Sequence, residues 1–218
     1  MRSTSLGAAV RSVGQSDDSC VTVLHMLSIS NDPSSTIGDR ILEAAAHCVI
    51  AYGVDRVTLA EIARRARVSR PTVYRRWPDI RSVLAALLTA RIVGALDAVP
   101  SRGVGRDAVV ERALGVAEHL RNDEVVMAVL QDAPDLTMVY LTERLGTSQQ
   151  ILIDTLAADI KLAQEAGSVR AGEPRQLAAM CLLVARSTIQ SAQIVAPILD
   201  TRALDIELAH CLNGYLKP

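Results

Sequence analysis

The stretch Val57–Trp77, VTLAEIARRARVSRPTVYRRW, reads as two short helices around a tight turn. Thr58 stands where an N-cap belongs, and Glu61 follows three residues later, the spacing of a reciprocal capping box. Leu59, Ile62, Ala63 and Ala66 recur at helical spacing and give one face to a core. Arg64, Arg65 and Arg67 fall mostly off that face. Val68 closes the turn, and Ser69 is a second N-cap. Pro71 occupies the first turn of the next helix, where a missing N–H costs nothing. Val73 and Trp77, at i and i+4, are expected to share the buried side of this helix. Thr72, Tyr74, Arg75 and Arg76 are left on its other faces, beside Arg70. A short helix of hydroxyls and guanidiniums, braced by another short helix, is the layout of a helix-turn-helix DNA reader.

Upstream, residues from about 37 to 52 predict a helix with Ile41, Ala44, Ala45, Cys48 and Val49 facing inward, and Gly53 suits its C-terminal cap. Glu43 and His47, at i and i+4, read as a surface pair, because no third metal ligand is near them. Residues 1–36 are rich in Ser without sustained periodicity and read as a mobile arm. Downstream, Pro78-Asp79 cues a helix from about 80 to 99. Its Val83, Leu84, Leu87, Leu88, Ile92, Ala95 and Leu96 recur at three- and four-residue steps. Further helical segments follow at about 106–121, 123–131, 135–145, 148–166, 174–195 and 202–216, with no strand alternation and no internal repeat. The expected fold is all-α, with about nine helices. An arm over 1–36 precedes a three-helix DNA-binding domain over 37–80 and a larger helical bundle over 81–218.

Thr58, Ile62, Ala63, Ala66, Val68, Ser69, Pro71, Tyr74 and Trp77 fit the pattern T-x-x-x-I-A-x-x-A-x-V-S-x-x-x-x-Y-x-x-(F/W). In this the chain resembles the tetracycline-repressor (TetR/AcrR) family of bacterial regulators. The match extends upstream through Ile41, Ala44, Ala45 and Gly53 and covers roughly a fifth of the chain. Two positions depart from the family pattern. Arg67 stands where a glycine commonly serves the turn, and a non-glycine residue is strained there if φ is positive. Ile80 stands where a phosphate-contacting lysine often sits, with Arg81 the nearest substitute. The resemblance implies a homodimer built through the last two helices and an effector pocket inside the C-terminal body. It also implies that the helix at about 80–99 transmits effector binding to the spacing of the two readers.

The 218 residues are enough for one large or two small domains with an ample core. Half of them are apolar, yet there is no Phe, and Trp and Tyr together number five, so the core is expected to be Leu, Ile, Val and Ala. The formal charge of −1 hides an asymmetry. Residues 39–81 carry nine Arg against five Asp or Glu, a net of +4, which leaves −5 for the remainder. That pattern suits one nucleic-acid-facing end and excludes a uniformly basic binder. Cys20, Cys48, Cys181 and Cys211 show no CxxC spacing and no His at zinc intervals, so free thiols are expected. The longest apolar run, Leu177–Ala185, is too short to span a bilayer, and Val21–Leu27 lacks the marks of a secretory leader. These readings predict a soluble cytoplasmic protein that needs no membrane, metal or cofactor.

The expected DNA-binding set is Arg40, Thr58, Ser69, Arg70, Thr72, Tyr74, Arg75, Arg76 and Arg81. Arg70, Arg75 and Arg76 each offer a two-pronged donor to guanine or a salt link to phosphate, and the sequence leaves open which does which. Thr72 suits a thymine methyl or a phosphate, and Tyr74 a phosphate. Thr58 and Ser69 cap helices whose N-termini favour anions. Candidate effector-pocket residues are polar or bulky groups within apolar stretches: Glu118, Met127, Gln131, Met138, Tyr140, Arg144, Asp154, Met180 and Ser187. The aliphatic composition points to an apolar or acyl-like small molecule.

The function these features predict is a ligand-responsive repressor that binds a palindromic double-stranded operator as a homodimer and is released by its effector. An activator or an architectural DNA binder of the same fold is the alternative. A helical enzyme with a vestigial reader is disfavoured, since no nucleophile–base pair, metal-ligand helix pair or glycine-rich phosphate loop is visible.

Overall fold

A computed structural model describes residues 33–132 and 146–218. Every described element is helical. The order is α1 (Pro33–Tyr52), a 3-10 turn (Val54–Arg56), α2 (Leu59–Ala66), α3 (Arg70–Arg76), α4 (Ile80–Ala98), α5 (Arg106–Arg121), α6 (Glu124–Asp132), α7 (Thr147–Glu165), α8 (Pro174–Val195) and α9 (Thr201–Leu216). The segment expected at 135–145 and most of the expected arm lie outside the described residues. Where the arm was expected to run to residue 36, α1 already begins at Pro33, a residue whose fixed φ is preorganised for the first turn of a helix.

Packing divides the chain into two compact units, residues 1–38 and 39–218. The first contributes the opening turns of α1 to the described part. The second contains the remainder of α1 and all other described elements. Within it the reader has its own small core, in which Ile41, Ala45, Cys48, Ile62, Val73 and Val83 are fully buried. The larger core draws on α4 to α9 and includes Val110, Ala117, Ile160, Ala178, Leu208 and Leu212. With no Phe available, Ala95, Ala163 and Ala178 are buried completely and let helices approach closely.

One packing expectation is corrected. Trp77 is half-buried instead of lying in the core with Val73. Helix α3 stops at Arg76, and Trp77 turns extended (φ −135, ψ 114), which takes its side chain off the helical face of Val73 although its N–H still bonds the Val73 carbonyl. Helix α8 buries one face within the chain. Leu177, Ala178, Cys181 and Ile189 face inward, whereas Met180 and Leu183 are 44% and 59% exposed. By length and composition α8 is apolar enough to cross a membrane. Its inner side is part of the main core, and it carries Arg186 in mid-helix.

Burial has a chemical consequence at Cys181, where desolvation pushes the thiol up to about 11 from 9.0. The neutral thiol therefore stabilises the fold fully below the unfolded pKa, and that contribution is lost as pH rises through the folded value. At 1.36 kcal/mol per unit the loss amounts to roughly 2–3 kcal/mol. Urea melts between about pH 8 and 11 are expected to show a steeper alkaline fall for the wild type than for Cys181→Val. Equal slopes would contradict this origin.

Candidate nucleic-acid interface

The reader is assembled from local hydrogen bonds that the sequence specifies residue by residue. Thr58 caps α2, its Oγ1 accepting from the Glu61 N–H at 3.2 Å. The expected return half of the capping box is not made. The Glu61 carboxylate instead accepts from Arg64 Nε at 2.9 Å, and this hydrogen bond holds its carboxyl below the usual range. Ser69 caps α3, accepting from the Thr72 N–H at 3.3 Å, and the Ser69 and Thr72 hydroxyls lie 2.7 Å apart. Asp79 and Ser82 form a full capping box at the head of α4, with Ser82 N–H donating to Asp79 Oδ1 at 2.7 Å.

The turn between α2 and α3 pivots on Arg67, which adopts the left-handed conformation (φ 55, ψ 44). Its N–H and that of Val68 fold back onto the last carbonyls of α2, Val68 bonding Ala63 at 3.0 Å. A side chain at this conformation costs about 1 kcal/mol relative to glycine. Arg67→Gly is therefore expected to raise the melting temperature by roughly 2–4 °C for a chain of this size. An unchanged or lower value would show that the turn carries no strain.

Val73 is fully buried beneath α3 and fixes how the helix is rotated. At about 100° per residue, Arg75 then lies on the side opposite the core, with Thr72 and Tyr74 flanking it. Arg70 and Arg76 fall nearer the buried edge. Tyr74, Arg75, Arg76 and Arg70 are all exposed, and Thr72 is half-buried. The Arg76 guanidinium stands 5.6 Å from the centre of the Trp77 ring, which orients it along the C-terminal end of the helix. Arg81 is exposed in the first turn of α4.

Arg40 is placed differently from its expected partners. Its Nη2 donates to the Ala66 carbonyl at 2.6 Å, tying α1 to the end of α2. The bond satisfies a carbonyl that the helix terminus leaves open, and no local sequence pattern announces it. Glu43 and His47 form the expected surface pair at 3.4 Å.

A second feature lies in the C-terminal helices. A cavity of about 480 Å³ runs between α4, α5, α6, α7 and α8. Its walls are aliphatic, with Leu84, Leu88, Ile92, Val116, Leu152 and Leu156 among them. Polar groups at the wall include Arg112 and Asp159, paired at 2.7 Å and largely buried, and the buried Ser148 and Gln149. None of the expected pocket residues is among its described lining. Glu118, Met180 and Ser187 face solvent, Asp154 pairs with Arg175 at 2.7 Å, and Met127 packs against the core. Met138, Tyr140 and Arg144 lie outside the described residues, as does the side chain of Gln131. The described lining is largely aliphatic. The signal present in the sequence is the stripe Leu84, Leu88, Ile92, Leu96 on α4, which recurs every four residues.

Comparison with known proteins agrees with the reader geometry. Residues 41–87 match the model of bacterial regulatory proteins of the tetR family. Over 191 residues the chain is 60% identical to an HTH-type transcriptional regulator of Mycobacterium bovis, an alignment covering 88% of this chain and all of that one. The chain belongs to the tetR family of bacterial regulatory proteins. Among solved structures, RolR in complex with resorcinol has a TM-score of 0.58 at 16% identity, covering 84% of this chain and 88% of that one. FadR of Bacillus subtilis in complex with stearoyl-CoA has a TM-score of 0.59 at 15% identity, covering 81% and 98%. Both share the tetR-family fold. The chain's relatives are transcriptional regulators, and its helix-turn-helix places it among the DNA-binding ones.

Proposed function

We propose that this tetR-family regulator is a ligand-responsive repressor that binds a palindromic operator as a homodimer in the cytoplasm and is released by a small molecule. The observation that carries the reading is the outward face of α3, where Thr72, Tyr74 and Arg75 stand over a core fixed by Val73. Such a helix presents base-reading and phosphate-binding groups to a major groove. Arg75 is the base reader, and Arg70, Arg76, Tyr74 and Arg81 contact phosphates. The reader corresponds to about residues 37–80 and the regulatory body to 81–218.

A dimer through α8 and α9 is supported by their solvent faces. Met180, Leu183 and Ile194 follow one another along α8, and Ile206 is 53% exposed on α9. Faces of this kind are expected to be covered by a second copy. Release by a ligand is supported by the apolar cavity, which borders α4, the helix leading from the reader into the body. The complexes of RolR with resorcinol and FadR with stearoyl-CoA support a small molecule as the occupant. No catalytic role is assigned.

Gel shifts against the DNA upstream of the protein's own gene test the reading, together with a reporter in a deletion strain. Salt-sensitive, sequence-selective binding and a rise in transcription on deletion are expected. A fall in transcription would identify an activator, and the absence of selective binding would sink the DNA-reader assignment.

A further inference from the structure

One residue of the reader adopts a backbone that the chain elsewhere reserves for glycine. Among the described residues, Gly53, Gly105, Gly167 and Gly172 have positive φ, and Arg67 is the only other residue that does. A Cβ crowds the backbone in that region, so an arginine there carries a standing cost that glycine would avoid. The turn is nevertheless firmly built. The Arg67 N–H bonds the Arg64 carbonyl at 3.2 Å, and the Val68 N–H bonds the Ala63 carbonyl at 3.0 Å. Arg40 reaches over from α1 and donates to the Ala66 carbonyl at 2.6 Å, which fixes the peptide leading into Arg67.

No interaction within the described residues offsets the strain. The Arg67 side chain is exposed, and its guanidinium makes no hydrogen bond or ion pair with any of them. Arg64, three residues earlier, is by contrast held by the Glu61 carboxylate at 2.9 Å. Residues 62–78 hold six Arg and no Asp or Glu, so Arg67 also adds to a concentration of like charge. A backbone cost and a repelled charge at one exposed position both favour a partner outside the chain, and that partner must be an anion. Position selects which anion. Arg67 lies three residues before Arg70, immediately ahead of α3. A recognition helix enters the major groove by its N-terminal part, so the turn before it passes the phosphate strand at the groove's edge.

We infer that Arg67 contacts a phosphate of bound DNA, with the left-handed turn and the Arg40 brace holding its guanidinium toward the strand beside the head of α3. The inference rests on the DNA-reader assignment above and adds a contact from outside the recognition helix. The contact carries no base selectivity and contributes to affinity and to its salt dependence.

The test uses the full-length protein, a duplex from upstream of its own gene and a random-sequence duplex of equal length. Affinity is read by fluorescence anisotropy between about 50 and 200 mM salt, and folding by thermal melts. Arg67→Asn removes the charge and suits the left-handed turn. It should weaken both duplexes roughly five- to tenfold per subunit near 0.1 M salt, and lower the slope of log affinity against log salt by about one per subunit. Arg67→Gly should do the same while raising the melting temperature, so that a folding defect cannot produce the loss. Arg67→Lys keeps the charge and should retain most of the affinity. Lys161→Gln, at an exposed site on α7, removes the same unit of charge outside the reader and should change either affinity by less than about twofold. Wild-type affinity and slope in Arg67→Asn and Arg67→Gly overturn the inference and leave the reader assignment standing. A loss confined to the upstream duplex makes Arg67 a base contact and overturns the phosphate assignment. An equal loss in Lys161→Gln makes the effect one of net charge and overturns it too. A wild type that binds neither duplex defeats the reader assignment itself, and this contact with it.

Discussion

Arg75→Ala should weaken binding to the cognate operator by about 1–3 kcal/mol per half-site, and by roughly twice that on a palindrome read by two subunits. The expectation follows from the rotation of α3. With Val73 sealed in the core, Arg75 is the guanidinium that points away from the body, whereas Arg76 leans over Trp77 and Arg70 sits at the capped end. A base-reading arginine lost to alanine should also relax selectivity at one position of each half-site. Arg75→Lys should recover little of it, because a lysine lacks the planar fork that grips guanine. Arg76→Ala and Arg70→Ala should behave differently. They should weaken all sequences alike and lower the slope of log affinity against log salt by about one each. Competition gel shifts with singly substituted operators, repeated across a salt series, separate the two patterns. If Arg75→Ala gives the uniform, salt-linked loss, Arg75 is a phosphate contact and another residue reads the groove.

The reader was legible in the sequence because its determinants are local. Thr58 and Ser69 announce helix starts, Pro71 fixes a first turn, and Leu59, Ile62 and Ala66 declare a buried face within a few residues of one another. Even the departure at Arg67 could be anticipated, and its φ of 55 confirms that the turn demands a left-handed residue. Where local patterns compete, the reading slipped. Glu61 has two partners within reach, the Thr58 N–H and the Arg64 guanidinium, and the charged one wins. Trp77 keeps its backbone bond to Val73 yet leaves the helix, so a spacing argument that assumes continued helix misplaces it.

The cavity was not legible in this way. Its wall joins α4, α5, α6, α7 and α8, and an aliphatic residue facing a void carries the same letter as one facing another helix. The bond from Arg40 to Ala66 spans 26 residues and the pairing of Arg112 with Asp159 spans 47. Contacts at such separation are fixed by how helices cross, which single-chain periodicity does not encode. The caps and the turn of the reader therefore follow from local spacing, whereas the cavity wall depends on how distant helices cross.

The Arg112–Asp159 pair should be the most costly ion pair to break in the described structure. Its side chains are only 16% and 13% exposed, and Arg112 also holds the Val99 carbonyl at the end of α4. Asp159→Ala leaves a guanidinium that cannot turn to water without releasing Val99, so a loss of about 3–5 kcal/mol is expected. For a chain of this length that is a fall of roughly 6–20 °C in melting temperature. The pair itself need not be a net source of stability. Taking both charges out of water costs nearly what their attraction returns, and Arg112→Met with Asp159→Leu should recover most of the loss. Arg175 and Asp154 supply the control: they meet at the same 2.7 Å but are 59% and 34% exposed. Water screens them, and Asp154→Ala should cost less than about 1 kcal/mol. Urea denaturation of the single and double variants gives the coupling directly. A cost for Asp159→Ala no larger than that for Asp154→Ala would mean the cavity end is wet, and that solvent, not Asp159, compensates Arg112.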